Sequence, residues 1–136
     1  YPYPFENNSV DEIYCSEFIE HVENLVVFMD ELYRIMKPGA KGLITAPYWS
    51  HVNTWRDPTH RRGIADRTLF FFDKSWRDSH GKTCYDINSD FFVTYQMVFD
   101  DEYLPEYEKL SPEEQRFAMI HYVNVIVGIR FEITKK

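Results

Sequence analysis

The chain has 136 residues, 44% of them hydrophobic and 18% aromatic, which suits one domain with a single packed core and excludes a disordered chain. Fifteen Lys and Arg stand against 22 Asp and Glu, and the formal net charge of −7 excludes a general electrostatic attraction to nucleic acid or to anionic membranes. No apolar run approaches the roughly 18 residues that span a bilayer and no signal-peptide pattern opens the chain, so no membrane partner is expected.

The opening YPYPFENNS is rich in proline and asparagine and reads as an extended segment and a turn. Val10–Ser16 is a short run compatible with a buried strand, carried by Val10, Ile13, Tyr14 and Cys15. Its cysteine and Cys84 lie in unrelated contexts, so a disulfide framework is not expected and a reducing cytoplasm is the expected compartment. From Asn24 the period becomes helical: Val22, Leu25, Met29, Leu32 and Met36 recur at three or four residues. Asn24 is the expected N-cap, with Asp30 and Arg34 at i,i+4 on the outer side. Lys37-Pro38-Gly39 stops the helix, and residues 41–47 (KGLITAP) form a second buried strand. Strand, helix and strand with a crossover of this length predict a parallel pair in a βαβ unit. Both strands then deliver their following residues, 16–18 and 48–51, to one edge of the sheet, where open α/β sheets bind ligands.

Residues 48–66 form a polar, aromatic loop too long to be a mere connector. A short helix is expected over 66–72, loop over 77–90, and a third strand at Phe91–Phe99. In that strand Phe91, Val93, Tyr95, Met97 and Phe99 share a face. Ser111 and Pro112 start a helix as N-cap and first residue. Val123, Val125, Val127, Ile129, Phe131 and Ile133 alternate with more polar neighbours and predict a last strand.

The run FENNSVDEIYCSEFIEHVENLVVFMDELYRIMKPGAKGLITAP resembles the fourth strand, fourth helix and fifth strand of class I S-adenosylmethionine-dependent methyltransferases of the type 11 kind. Asp11, Glu20-His21-Val22 and Met36-Lys37-Pro38-Gly39 match that family's pattern, with Ala40 in place of a second glycine. The resemblance implies an α/β, partial Rossmann-like methyltransferase fold, in which the parallel βαβ unit is followed by further helices and C-terminal strands. Residues 1–136 would be the C-terminal part of the domain: 10–47 the βαβ core, 48–90 the substrate-side loops, and 91–136 the last strands and helix. It also implies S-adenosylmethionine as cofactor, with Ser16, Glu17 and Phe18 beside its methionine and sulfonium, and a small acceptor. The family's glycine-rich cofactor loop has no counterpart here, because Gly39, Gly42, Gly63, Gly81 and Gly128 form no strand-to-helix glycine turn. The chain is therefore expected to be incomplete for cofactor binding by itself. Without upstream neighbours, the strand Val10–Ser16 would expose an unpaired edge, which a second copy could cover to give a homodimer. A non-catalytic methyltransferase-like module that oligomerises through this edge is the alternative reading.

Methyl transfer is a one-step displacement, so the protein must align an acceptor and, where needed, take its proton. His51, Asp57 and His60 are the candidate catalytic bases. Tyr48, Trp49 and Trp55 are candidate walls of an acceptor pocket. Arg56 and Arg61, with Arg62 and Arg67, form a basic patch suited to a phosphate or carboxylate, unless they pair with Asp66, Asp73 and neighbours. Glu20 and His21 are expected to fix their loop and cap the helix. The histidine spacing fits no known zinc pattern, so no metal is expected. Cys15 reads as a small hydrophobe rather than a nucleophile, and Tyr103, Tyr107 and Tyr122 as packing or oligomer surface.

Overall fold

The structure, a computed structural model, describes residues 2–101 and 104–136; Tyr103 lies outside them. Strand β1 (Val10–Ser16) runs through a loop into helix α1 (Leu25–Ile35), and strand β2 (Met36–Pro47) returns parallel to β1. Helix α2 (Asn53–Arg56), a 3-10 helix at Leu69–Phe72 and helix α3 (Lys74–Ser79) follow within the long connection. Strand β3 (Phe91–Phe99), helices α4 (Leu104–Glu108) and α5 (Pro112–His121) and strand β4 (Ile126–Lys135) complete the order. Among the described residues the sheet has the order β1-β2-β4-β3, with β4 antiparallel to both neighbours.

Helix α1 forms where the apolar stripe and the cap agree. The Asn24 side chain accepts hydrogen bonds from the backbone N–H groups of Val26 and Val27 at 3.0 and 3.1 Å, satisfying two donors that the first helical turn leaves free. Asn24→Ala is expected to cost about 1 kcal/mol, read as a lower midpoint in urea unfolding with unchanged slope. The helix buries Phe28, Met29, Leu32 and Ile35, which join one core with the covered face of the sheet. That face carries Ile44 of β2, opposite Phe131 of β4, and Ile129, Ile133 and Phe91 beside them, all essentially without solvent contact. Gly42 lies between Ile13 and Ile133 on this face; a Cβ there would sit 2.8 Å from Ile133 Cγ1. The opposite face is open, with exposed Glu12, Tyr14, Lys41, Phe92, Thr94, Arg130 and Glu132.

The chain differs from its pattern in several places. Helix α1 ends at Ile35, and the Lys37-Pro38-Gly39 stop is absorbed into an irregular start of β2, where the β1 register shifts between Val10 and Glu12. Gly39 takes φ +79 there, a conformation that favours glycine. Arg34 pairs with Glu31 rather than Asp30, while Asp30 accepts from the backbone N–H groups of Asn88 and Ser89. The loop expected over 77–90 begins as the end of α3, which Asp73 caps. Val123 is exposed and lies before β4, and the inward register starts at Ile126 across a bulge. The Ser111 start is as expected: its hydroxyl accepts from the Glu114 N–H, and the Glu114 carboxylate accepts from the Ser111 N–H.

Two carboxylates tie distant parts of the chain to this frame. Glu31 accepts from the Arg34 guanidinium and from the Tyr3 N–H, and these bonds hold its carboxyl below its ordinary range. Burial alone would raise Asp73, but the Lys136 ammonium, the Ser75 hydroxyl and the Trp76 N–H outweigh it and hold its carboxyl low. A carboxyl whose folded-state pKa lies below its unfolded value stabilises the fold fully above the unfolded value and ceases to as pH falls through the folded one. Thermal midpoints are therefore expected to fall as pH drops below the ordinary carboxylate values of 4.5 and 3.8. Glu31→Gln should lower the midpoint at neutral pH and make that acid limb shallower.

Candidate functional site

Because β1 and β2 are parallel, their carboxyl ends open onto the same edge. The Glu17 N–H donates to the Thr45 carbonyl at 3.0 Å, and the Ser16 and Thr45 hydroxyls meet at 2.9 Å. The chain turns sharply after the strand: Glu17 has φ 47, a left-handed conformation that costs a non-glycine residue on the order of 1–3 kcal/mol. The turn places Glu17 at the rim of a cleft of about 230 Å³, which Thr45, Pro47, Asn53, Val98 and Gly128 also line. Burial and the neighbouring Glu20 carboxylate push the Glu17 carboxyl above its ordinary range, although its Thr45 contact opposes the shift. Phe18 is exposed beside it, with its ring 5.6 Å from that of Phe28.

The loop after β2 folds back over the β1–α1 loop. Arg61 donates its backbone N–H to the Glu20 carbonyl at 2.8 Å, and the Arg62 guanidinium donates to the carbonyls of Ile19 and Glu23. Arg62 therefore fastens two loops together instead of joining a free basic patch. Arg56 and Arg61 remain exposed, and Arg67 approaches Asp66 at 3.9 Å. Trp49 and Trp55 reach solvent next to each other, the Trp55 indole N–H donating to the Trp49 carbonyl at 3.0 Å. Tyr48 instead is buried in the core and bridges to Ile64, and burial raises its phenol. Gly63 lets this return segment pass over Trp49, since a Cβ there would lie 2.9 Å from the Trp49 Cβ. Gly63→Ala is expected to destabilise by about 1–3 kcal/mol, measurable as a lowered thermal midpoint.

The three candidate bases separate. His51 is buried and its Nδ1 accepts from the Asn53 N–H at 3.2 Å, so it shapes its own turn. His60 lies 3.9 Å from Asp57, and both sit beside His21 and Glu20. Asp57 is the solvent-facing member, and two hydrogen bonds from Thr59 hold its carboxyl low. Glu20 and His21 do not cap α1, a role that Asn24 fills; they point into this cluster. Sequence spacing could not find it, because Glu20 and His60 are brought together only by the folded-back loop. Cys15 and Cys84 are free thiols, and burial, reinforced by the Glu20 carboxylate, pushes Cys15 up to about 11, which suits a packed core group rather than a nucleophile.

The sequence profile of the methyltransferase domain matches residues 2–44, the segment that forms β1, α1 and most of β2. A sterol 24-C-methyltransferase of Pneumocystis carinii is 38% identical over 61 residues, 43% of this chain and 16% of that protein. Its βαβ segment is thus similar to the methyltransferase domain, and its fold to that of S-adenosylmethionine-dependent methyltransferases. An Archaeoglobus fulgidus protein of that family superposes on 97% of the chain with a TM-score of 0.60 at 19% identity, and 62% of its own length is covered. The methyltransferase fold here is also similar to that of the [4+2]-cyclase SpnF, with a TM-score of 0.57 at 14% identity over 98% of this chain and 52% of that one. At such identities the likeness concerns the fold, which hosts more than one chemistry. The chain thus spans about three-fifths of the first solved relative and a sixth of the sterol methyltransferase. S-adenosylmethionine is the cofactor of the methyltransferase family. Among the described residues, no helix is long and apolar enough to cross a membrane.

Proposed function

We propose that this chain supplies the C-terminal part of a domain that transfers a methyl group from S-adenosylmethionine to a small acceptor. The observation that carries this reading is the strained Glu17 at the joint carboxyl edge of β1 and β2, within the loop of the segment that matches the family. Ser16, Glu17 and Phe18 would lie against the methionine end of the cofactor. A carboxylate and an aromatic face are both attractive to a sulfonium cation. Trp49, Trp55, Arg56 and Arg61 offer an aromatic and cationic rim for an acceptor that carries an anionic group. Asp57 is the accessible carboxylate for an acceptor that must lose a proton; an acceptor with a free lone pair needs only alignment. The free thiols favour a reducing, cytoplasmic setting.

The family's glycine-rich loop is not among these residues, so the cofactor's main cradle would come from another segment. Calorimetric titration of the 136-residue chain with S-adenosylhomocysteine is expected to give no heat at tens of micromolar. The same chain preceded by a strand–turn–helix that carries the glycine loop should bind it. In that longer polypeptide Glu17→Gln should weaken the cationic S-adenosylmethionine by about tenfold, roughly 1.4 kcal/mol, and the uncharged S-adenosylhomocysteine much less. Failure of the longer polypeptide to bind either compound overturns the reading.

A second reading rests on the outer edge of β1. Among the described residues no strand pairs with it, and an apolar groove of about 540 Å³ runs beside it between Tyr14, Phe18, Phe28 and Leu32. A module that assembles with a second copy along this edge would cover both. Solution mass decides: a strictly monomeric, well-folded chain rules out edge pairing.

A further inference from the structure

The Glu20 carboxylate is the least solvated charged group near the candidate site. Its residue is 1% exposed, and neither carboxylate oxygen accepts a hydrogen bond. Leaving a buried carboxylate without partners is costly, and such groups are normally paired, hydrogen-bonded or bound to a metal. Two imidazoles face it. The Nε2 atoms of His21 and His60 each lie 3.9 Å from Glu20 Oε1, and the three potential donor atoms all lie within 4.8 Å of one another. At 3.9 Å neither contact is a hydrogen bond, and a charge-assisted one would close to about 2.7–2.9 Å.

The other nitrogen of each ring fixes what Nε2 presents. His60 Nδ1 lies 2.8 Å from the Thr54 carbonyl, which can only accept, so Nδ1 carries the proton. His21 Nδ1 lies 2.9 Å from the Thr59 hydroxyl, whose own proton goes to Asp57 Oδ1 at 2.6 Å. Thr59 therefore accepts from His21 Nδ1–H. In the neutral rings both Nε2 atoms carry lone pairs, aimed with a carboxylate oxygen at one small space. Three converging lone-pair donors repel one another unless a cation lies between them. Imidazoles oriented through Nδ1–H by a carbonyl and by a carboxylate-linked hydroxyl are the outer-shell pattern of metal-ligating histidines.

We propose that Glu20, His21 and His60 form a binding site for a divalent transition metal ion, with zinc the best match. Two imidazoles and one carboxylate suit zinc, whereas calcium and magnesium take oxygen ligands. Tetrahedral bonds of about 2.0–2.1 Å place ligand atoms roughly 3.3 Å apart, so the 3.9 Å separations need to close by about half an ångström. Asp57 Oδ2, 3.9 Å from His60 Nε2 on the solvent side, is placed to take a fourth position or to orient a water there. The ion would clamp the β1–α1 loop, which carries Glu20 and His21, to the return loop, which carries His60. The assignment stands on these three residues and does not depend on methyl transfer.

The test is a titration of the chelator-treated chain with Zn²⁺ and, for its visible spectrum, Co²⁺. One equivalent of Co²⁺ is expected to give the intense absorption of a four- or five-coordinate site, and Zn²⁺ to displace it. Glu20→Gln and His60→Gln should each weaken binding at least tenfold, whereas His121→Gln on α5 should leave it unchanged. Zn²⁺ should raise the thermal midpoint of the wild-type chain and not that of folded Glu20→Gln. Because the variants could misfold, ¹⁵N imidazole spectra of the wild-type chain give a direct reading: the Nε2 signals of His21 and His60 should move on adding Zn²⁺. No saturable binding by the folded wild-type chain, full affinity in folded Glu20→Gln, or shifts confined to His51, His80 or His121 would each overturn the assignment.

Discussion

Phe131→Ala is expected to destabilise the chain by about 3–5 kcal/mol, a large part of the 5–15 kcal/mol that holds a typical domain together. Phe131 is fully buried at the middle of β4, which hydrogen-bonds to β2 on one side and β3 on the other. Its partners in register are Ile44 of β2 and Tyr95 of β3, so the ring spans the seam between the βαβ unit and the C-terminal strands. Removing it takes away the transfer free energy of the ring and leaves a cavity that three paired strands cannot collapse into. Urea unfolding by far-UV circular dichroism should show a midpoint shifted to much lower denaturant. Phe131→Leu, which keeps most of the volume, should recover more than half of the loss. Equal midpoints for wild type and Phe131→Ala would mean that the C-terminal strands do not share one core with β2.

Arg77→Ala is expected to cost about 3 kcal/mol by a different route. The Arg77 side chain is buried, and its guanidinium donates to the carbonyls of Phe71, Ile87 and Ser89. It thereby ties the 3-10 helix at Leu69–Phe72 to the segment that leads into β3. No carboxylate is among these hydrogen-bond partners, so the charge is solvated by carbonyl dipoles fixed by the surrounding fold. Truncation leaves those carbonyls without donors, each costing about 1–3 kcal/mol where water cannot reach. Arg77→Met keeps the packed stem and loses only the donors, so it should fall between wild type and alanine. Arg77→Lys should not restore wild-type stability, because one ammonium cannot reach three carbonyls in the planar fork geometry of arginine. Hydrogen exchange should localise the loosening to residues 80–90. Stability unchanged in both alanine and methionine variants would show that this segment is held by its apolar contacts alone.

The parts of the fold legible in the sequence are those written in local period. Asn24 precedes a stripe spaced for a helix, and it caps that helix. The alternation of Ile129, Phe131 and Ile133 faces the core, because side chains in a strand alternate between faces whatever lies beyond. Ser111, Pro112 and Glu114 form their capping box within four residues. Where a residue has two possible partners, local spacing does not choose between them: Arg34 takes the nearer Glu31, and Asp30 serves the backbone ahead of β3. The end of α1 is likewise set from outside the helix, since pairing of Met36 with Val10 draws the chain into β2 before the proline is reached.

The candidate site divides along that line. The sequence by itself determined the βαβ unit, its parallel strands and the edge at which Glu17 and Trp49 emerge, because period and turn chemistry act over a few residues. Only the tertiary structure decided that His51 turns inward while His60 meets Glu20 and His21, and that Arg62 donates to the carbonyls of Ile19 and Glu23. Those encounters depend on the path of a long loop. That path is set by contacts as remote in sequence as the Arg61 N–H on the Glu20 carbonyl and the bridge of Tyr48 to Ile64. A loop of this kind has no period, so its side chains acquire partners only when the core beneath them is packed.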